Sequence, residues 1–106
     1  MYTVVMKHKE ASIQILEYRV HLHNHMKLKQ KLEELIDNGC NHISLDFRHV
    51  KYIDCTSIGM ILSYHKRLEC QNGQIHIVNI QSQHLLEIFS IMKLDEILRL
   101  EKSDLY

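Results

Sequence analysis

Apolar positions along this chain follow two rhythms, and the places where one gives way to the other mark its elements. Thr3 to Lys9 and Ser12 to Tyr18 carry alternating or clustered β-branched residues and predict a pair of strands. From His23 to Asn38 the spacing becomes helical. Leu28, Leu32, Leu35 and Ile36 fall on one stripe while Lys27, Lys31, Glu33 and Glu34 stay in water, and Gly39 stands where a left-handed C-cap is needed. Ile43-Ser44-Leu45-Asp46-Phe47 alternates strictly, inside a strand predicted over His42 to Phe47. A short strand at Tyr52-Ile53 then runs through a polar turn into a second helix, Thr56 to Gln71, along which Ile58, Ile61, Leu62 and Leu68 recur at helical spacing. Asn72-Gly73 stops that helix ahead of the strand Gln74 to Ile80. Ser82 to Met92 makes a third helix with Leu85, Ile88, Phe89 and Met92 on its apolar face, and Ile97 to Leu100 either adds a last short strand or trails over the surface.

The main order is ββαβαβα, with short punctuated joins and no linker. Strands alternating with helices imply parallel pairs, and the opening pair adds an antiparallel hairpin at one edge. The length of 106 residues and the 45% of hydrophobic residues suit one domain with a modest core, residues 1–106. Lysine plus arginine equals aspartate plus glutamate at 13 each, so the basic footprint of a nucleic-acid binder is missing. No stretch approaches the roughly 20 apolar residues of a membrane span, and Met1-Tyr2-Thr3 does not open a signal peptide. Cys40, Cys55 and Cys70 stand apart from one another and write neither a disulfide framework nor a zinc motif. The expected setting is the cytoplasm, without direct membrane insertion.

The candidate chemistry gathers at Asp54-Cys55-Thr56-Ser57, where four side chains crowd one helix N-terminus. Unpaired N–H groups and a partial positive charge there suit an anion, a phosphorylated side chain or an acidic partner. For Thr56 and Ser57 helix capping is the plainer role, and for Cys55 a reactive thiolate competes with a small hydrophobe whose pKa the neighbouring Asp54 would raise. Nine histidines invite a metal site, above all His21-Leu22-His23-Asn24-His25. Alternate residues share a face only on a strand, however, and no carboxylate or cysteine stands in register to complete the set. No metal and no cofactor is expected, and the absence of a Gly-x-Ser-x-Gly elbow leaves no case for a hydrolase.

The run Leu45-Asp46-Phe47-Arg48-His49-Val50-Lys51-Tyr52-Ile53-Asp54-Cys55-Thr56-Ser57-Ile58-Gly59-Met60-Ile61-Leu62 resembles the strand, loop and switch helix of the STAS domains of bacterial anti-sigma factor antagonists. Asn72-Gly73-Gln74, Leu86-Glu87-Ile88-Phe89 and Met92-Lys93-Leu94 extend the resemblance over most of the chain. It implies an α/β STAS fold: a four- to five-stranded mixed sheet with helices packed mainly on one face. It also implies a non-enzymatic regulator. In such partner-switching pathways the unphosphorylated domain sequesters an anti-sigma factor that is also a serine-protein kinase with an ATPase-type fold. Phosphorylation of the first Ser of the signature Asp-Ser-[Ser/Thr]-Gly-[Leu/Ile]-Gly releases it, and a phosphatase resets the switch.

Against that signature Asp54, Thr56, Ile58 and Gly59 match, but Cys55 occupies the phosphorylated position and Ser57 that of the following glycine. Upstream, Tyr18-Arg19-Val20-His21 stands where the family shows Gly-x-[Leu/Val]-Asp. Two alternatives remain open. Phosphorylation has moved to Thr56 or Ser57, or the domain binds without it, for example as an accessory subunit docked permanently on a transporter ATPase. The expected partner surface is the Asp54 to Ser57 turn, the exposed face of the following helix with Met60, Tyr64 and Lys66, and the loop of His21, His23 and Asn24.

Overall fold

Strand alternation and helical stripes place the elements close to where the pattern puts them. The computed structural model describes residues 2–102, over which β1 (Tyr2–Lys7), β2 (Glu10–Ile15) and β3 (Arg19–Val20) lead into α1 (Met26–Asp37). Then come β4 (His42–Asp46), β5 (Tyr52–Ile53), α2 (Cys55–Glu69), β6 (Gln74–Ile80), α3 (Gln83–Ile91), a single 3-10 turn (Leu94–Glu96) and β7 (Arg99–Lys102). Five strands form one mixed sheet in the order β1-β2-β4-β6-β7, in which only β1 and β2 run antiparallel. The α/β sheet architecture expected from the pattern is therefore present, with an antiparallel hairpin at one edge.

One face of that sheet is the core. Ala11, Ile13 and Ile15 of β2, Ile43 and Leu45 of β4, and Ile75 and Ile77 of β6 are buried on it, under α1 and α2. On the other face Ser12, Ser44 and His76 stand in one row across the paired strands. That polar row is why the sequence alternates instead of running continuously apolar, as parallel strands covered on both sides do. His76 is held below the ordinary imidazole value there, first by burial and then by Arg99. The helix α1 buries its stripe of Leu28, Leu32, Leu35 and Ile36 and ends on Gly39 at φ 89°, where the Cys40 N–H reaches the Leu35 carbonyl at 3.0 Å. This is a Schellman stop.

Several boundaries and one element differ from expectation. A two-residue turn, His8-Lys9, with His8 at φ 58°, ends the first strand at Lys7 and starts the second at Glu10 rather than Ser12, and that second strand stops at Ile15 rather than Tyr18. The first helix starts at Met26 rather than His23, because the Asn24 side chain folds residues 21–24 into a turn of their own. The last strand is present but begins at Arg99, since the 3-10 turn and a Leu98 N–H bond to the Leu94 carbonyl at 2.7 Å take up the residues before it. The strand β3 was not anticipated, and it pairs in parallel with β5 as a separate two-stranded ladder.

Candidate functional site

Beyond the C-terminal end of β4, an Asx turn on Asp46 sends the chain towards α2: the Arg48 N–H donates to its Oδ1 at 2.9 Å. The Lys51 and Tyr52 N–H groups then donate to the Tyr18 carbonyl at 2.9 and 3.3 Å, and the Asp54 N–H to Val20 at 3.1 Å. These bonds, with the register Arg19 to Tyr52 and Val20 to Ile53, bring two loops distant in sequence to the same place. Parallel α/β sheets generally present their sites at this end of the strands.

Asp54 fastens the two loops together. It is the N-cap of α2, with extended backbone (φ −91°, ψ 166°), and its Oδ1 accepts the Ser57 N–H at 2.8 Å. Its Oδ2 accepts the Leu22 N–H at 2.9 Å, from the turn that precedes α1. Burial alone would raise this carboxyl, but the hydrogen bonds from Ser57 and Leu22, helped by His25, outweigh it and hold Asp54 below its ordinary value. Next to it His25 Nδ1 and Ser57 Oγ lie 2.8 Å apart, both side chains buried.

The turn itself is held by Asn24. Its Oδ1 accepts the His21 N–H at 2.8 Å, its Nδ2 donates to the Arg19 carbonyl at 2.7 Å, and its carbonyl accepts from the Tyr2 hydroxyl at 3.3 Å. His21 Nδ1 accepts the His23 N–H at 3.1 Å, which leaves Nε2 as that ring's donor. Asp54, His21, His23 and Asn24 are thus brought together at one end of the molecule, with Cys55 and Thr56 exposed on the first turn of α2. Ser57 differs. It is fully buried, so its hydroxyl serves His25 and not the surface.

The helix face expected to carry Met60, Tyr64 and Lys66 together is two faces. Met60 and Tyr64 line one groove of about 470 Å³, with Thr56, Ser63 and Arg67, against His25, Lys29 and Glu33 of the α1 side. Lys66 instead shares the spacing of Cys55, Gly59 and Leu62. Tyr64 is buried rather than exposed, because its ring packs inward and its hydroxyl donates to Glu33 Oε1 at 2.7 Å. Burial, and then Glu33, push the Tyr64 phenol up to about 12. Arg67 Nη1 donates to the other Glu33 oxygen at 3.1 Å, and Tyr64 and then Arg67 hold that carboxylate below its usual range.

Cys40 is the buried thiol, raised by its burial, while Cys55 and Cys70 are exposed. Among the described residues no three His, Cys, Asp or Glu side chains converge as a metal set. No helix among them is long and apolar enough to cross a membrane. Sequence reasoning weighed His25 only as part of the histidine run and not as the buried partner of Ser57, and it missed the backbone N–H of Leu22.

Residues 7–104 match the STAS domain family, and the chain belongs to it. Three solved structures show the same fold. An anti-sigma-factor antagonist (STAS) domain protein from Planctomyces limnophilus superposes with a TM-score of 0.82 at 13% identity, over 97% of this chain and 91% of that one. An anti-sigma factor antagonist from Mycobacterium paratuberculosis gives 0.81 at 10% identity, over 95% and 84%. The Bacillus cell fate determinant SpoIIAA, in its phosphorylated form, gives 0.72 at 18% identity, over 94% and 90%.

Proposed function

We propose that this STAS domain is a non-enzymatic regulator of the anti-sigma factor antagonist type. Its partner is an anti-sigma factor with an ATPase-type serine kinase fold, and it works in the cytoplasm on transcription through partner switching. The observation that carries this reading is the joined surface at Asp54: the first turn of α2, with Cys55 and Thr56 exposed, is bonded through one carboxylate to the His21–Asn24 turn. A partner meets both loops as one rigid epitope, close to free backbone N–H groups.

Cys55 stands where the family's phosphorylated Ser belongs, and a thiol is not a substrate for a serine kinase. The exposed hydroxyl next to it is Thr56, whereas Ser57 is sealed against His25. A phosphate on Thr56 would set about two negative charges near Asp54 and break docking by repulsion and desolvation. The absence of a hydroxyl at Cys55 favours a second reading, a binding module without a switch that docks permanently on a transporter ATPase.

Capture from source-cell lysate, with bound proteins identified by mass spectrometry, separates these readings. The Thr56→Glu chain keeps its fold, since a carboxylate is favourable in the first turn of a helix. It is expected to lose at least about tenfold in capture of a kinase-fold partner. Equal capture by both chains would remove Thr56 from the interface, and a transporter ATPase in place of the kinase would install the second reading.

With the captured kinase in hand, Cys55→Ser is expected to take up one phosphate on the new serine, seen as a single mass increment. If this variant stays unmodified while the kinase phosphorylates another substrate, the descent of this loop from a phosphorylated switch is wrong.

A further inference from the structure

Beside the β3–β5 ladder, exposed rings cluster in a way that neither the core nor the helix cap requires. Tyr52 is the centre of the cluster, with tilted and edge-on neighbours. The Tyr18 ring lies 5.4 Å from it, the His84 imidazole 5.7 Å away edge-on, and the Arg19 guanidinium carbon 5.3 Å from its centroid. Tyr18 and Tyr52 remain 58% and 43% exposed, and Leu22 on the adjoining turn 53%. Beside them opens a hollow of about 370 Å³ lined by Arg19, His21, His23, Tyr52 and Asp54 among others. Arranged tyrosines with an arginine over one ring are the composition that dominates binding energy at protein interfaces.

Arg19, His21 and His23 line the hollow beside the Asp54 carboxylate. Arg19 carries a permanent charge, and His21 has its Nδ1 occupied by the His23 N–H, which leaves the Nε2 donor free to point elsewhere. The carboxylate present, Asp54, already receives a backbone N–H on each oxygen. A ligand here therefore brings acceptors, and brings apolar surface to cover Tyr18 and Tyr52. A phosphate backbone fits less well, since lysine plus arginine and aspartate plus glutamate balance at 13 each and supply no excess of cations to follow one.

We propose that this surface receives an acidic segment of the partner polypeptide, whose carboxylates meet Arg19 and the His21–His23 donors while a neighbouring aromatic side chain covers Tyr52 and Tyr18. The inference rests on the partner-binding reading above and adds a second contact to it, at a hollow that shares no lining residue with the α1–α2 groove.

A capped peptide of alternating aspartate and glutamate around one phenylalanine, titrated into the uniformly 15N-labelled chain, tests it. The backbone amides of Arg19, Tyr52 and His84 are expected to shift, and less as salt is added. Arg19→Glu, an exposed position, is expected to weaken the titration about tenfold with the amide spectrum otherwise folded, and Tyr52→Ala to a similar extent, while Tyr52→Phe retains binding. Equal shifts with a peptide bearing lysine at each acidic position, or with oligothymidylate, would overturn the proposal, as would shifts confined to the α1–α2 groove. The two readings fail separately. Undiminished partner capture by Arg19→Glu sinks this surface and leaves partner switching standing, whereas peptide binding at Tyr52 without any kinase-fold partner in the lysate does the reverse.

Discussion

Gly73→Ala is expected to lower stability by about 3 kcal/mol, a drop of roughly 15 °C in Tm for a chain of this size. A Cβ at this position would lie 2.0 Å from the Asn41 carbonyl oxygen, 2.8 Å from its carbon and 2.9 Å from the Asn41 Cβ. Those atoms cannot retreat cheaply. The Asn41 carbonyl accepts the Gln74 N–H at 2.8 Å and sets the first rung between β4 and β6, while the Asn41 N–H donates to the Lys9 carbonyl at 2.9 Å. Gly73 is itself tied, through its N–H to the Leu68 carbonyl at 2.8 Å. Relief of the clash therefore breaks a backbone bond at the start of two central strands. Gly59→Ala is the matched comparison, since a Cβ there meets nothing within 4 Å and alanine is worth about 0.5–1 kcal/mol more than glycine inside a helix. Urea unfolding of both variants decides the matter. Equal midpoints for Gly73→Ala and the parent would mean that β4 and β6 open more readily than their bonding indicates. Gly73 lies at the N-terminal end of β6, away from the Asp54 loops, so the folded fraction of this variant should still capture partner.

In the sequence, Asn72-Gly73 is legible as a helix stop, and Asn72 indeed takes the left-handed conformation at φ 61°. The close approach to Asn41 is not legible, because it arises only when two parallel strands are set side by side. The same division runs through the fold. The stripe of Leu28, Leu32, Leu35 and Ile36 and the alternation from Ile43 to Phe47 are readable because each faces one continuous apolar layer. Two residues, Arg19 and Val20, are too few to carry a period, and their strand exists because β5 offers them a partner. The buried side of α2 includes Ser57, Tyr64 and His65, all polar by sequence. Each finds a partner at a distance: Ser57 in His25, Tyr64 in Glu33, and His65, through Nδ1 alone, in the Ile75 N–H at 3.0 Å. A helical wheel counts such residues as surface, which is why Tyr64 read as exposed. The site divides likewise. Asp54 announces itself as a cap ahead of a helix, but its bond to Leu22, 32 residues away, has no local trace.

Asp54→Ala is expected to cost about 2–3 kcal/mol and roughly 10 °C or more in Tm, from two losses that add because they lie on different oxygens. The first is the N-cap bond to Ser57, typically about 1 kcal/mol. The second is the charge-assisted bond to Leu22, taken at the lower end of about 1.5–3 kcal/mol because it is exposed to solvent. Asp54→Asn keeps an acceptor oxygen for one of the two N–H groups and should fall between alanine and the parent. The folded-state carboxyl lies below its ordinary value, so its contribution is present above the unfolded aspartate range near about 4 and is lost as the pH falls through the folded value. The gap in stability between the parent and Asp54→Ala is therefore wide at neutral pH and narrows in acid. Urea titrations of all three chains at both ends of that range measure it. A constant gap across pH would show that the carboxylate charge is irrelevant and that only the cap geometry matters. Loss of the latch also frees the turn of His21 to Asn24 from the first turn of α2. Partner capture by Asp54→Ala should then fall even under conditions where unfolding measurements show the chain folded. Capture that tracked the folded fraction alone would mean the two loops need no fastening to be recognised as one surface.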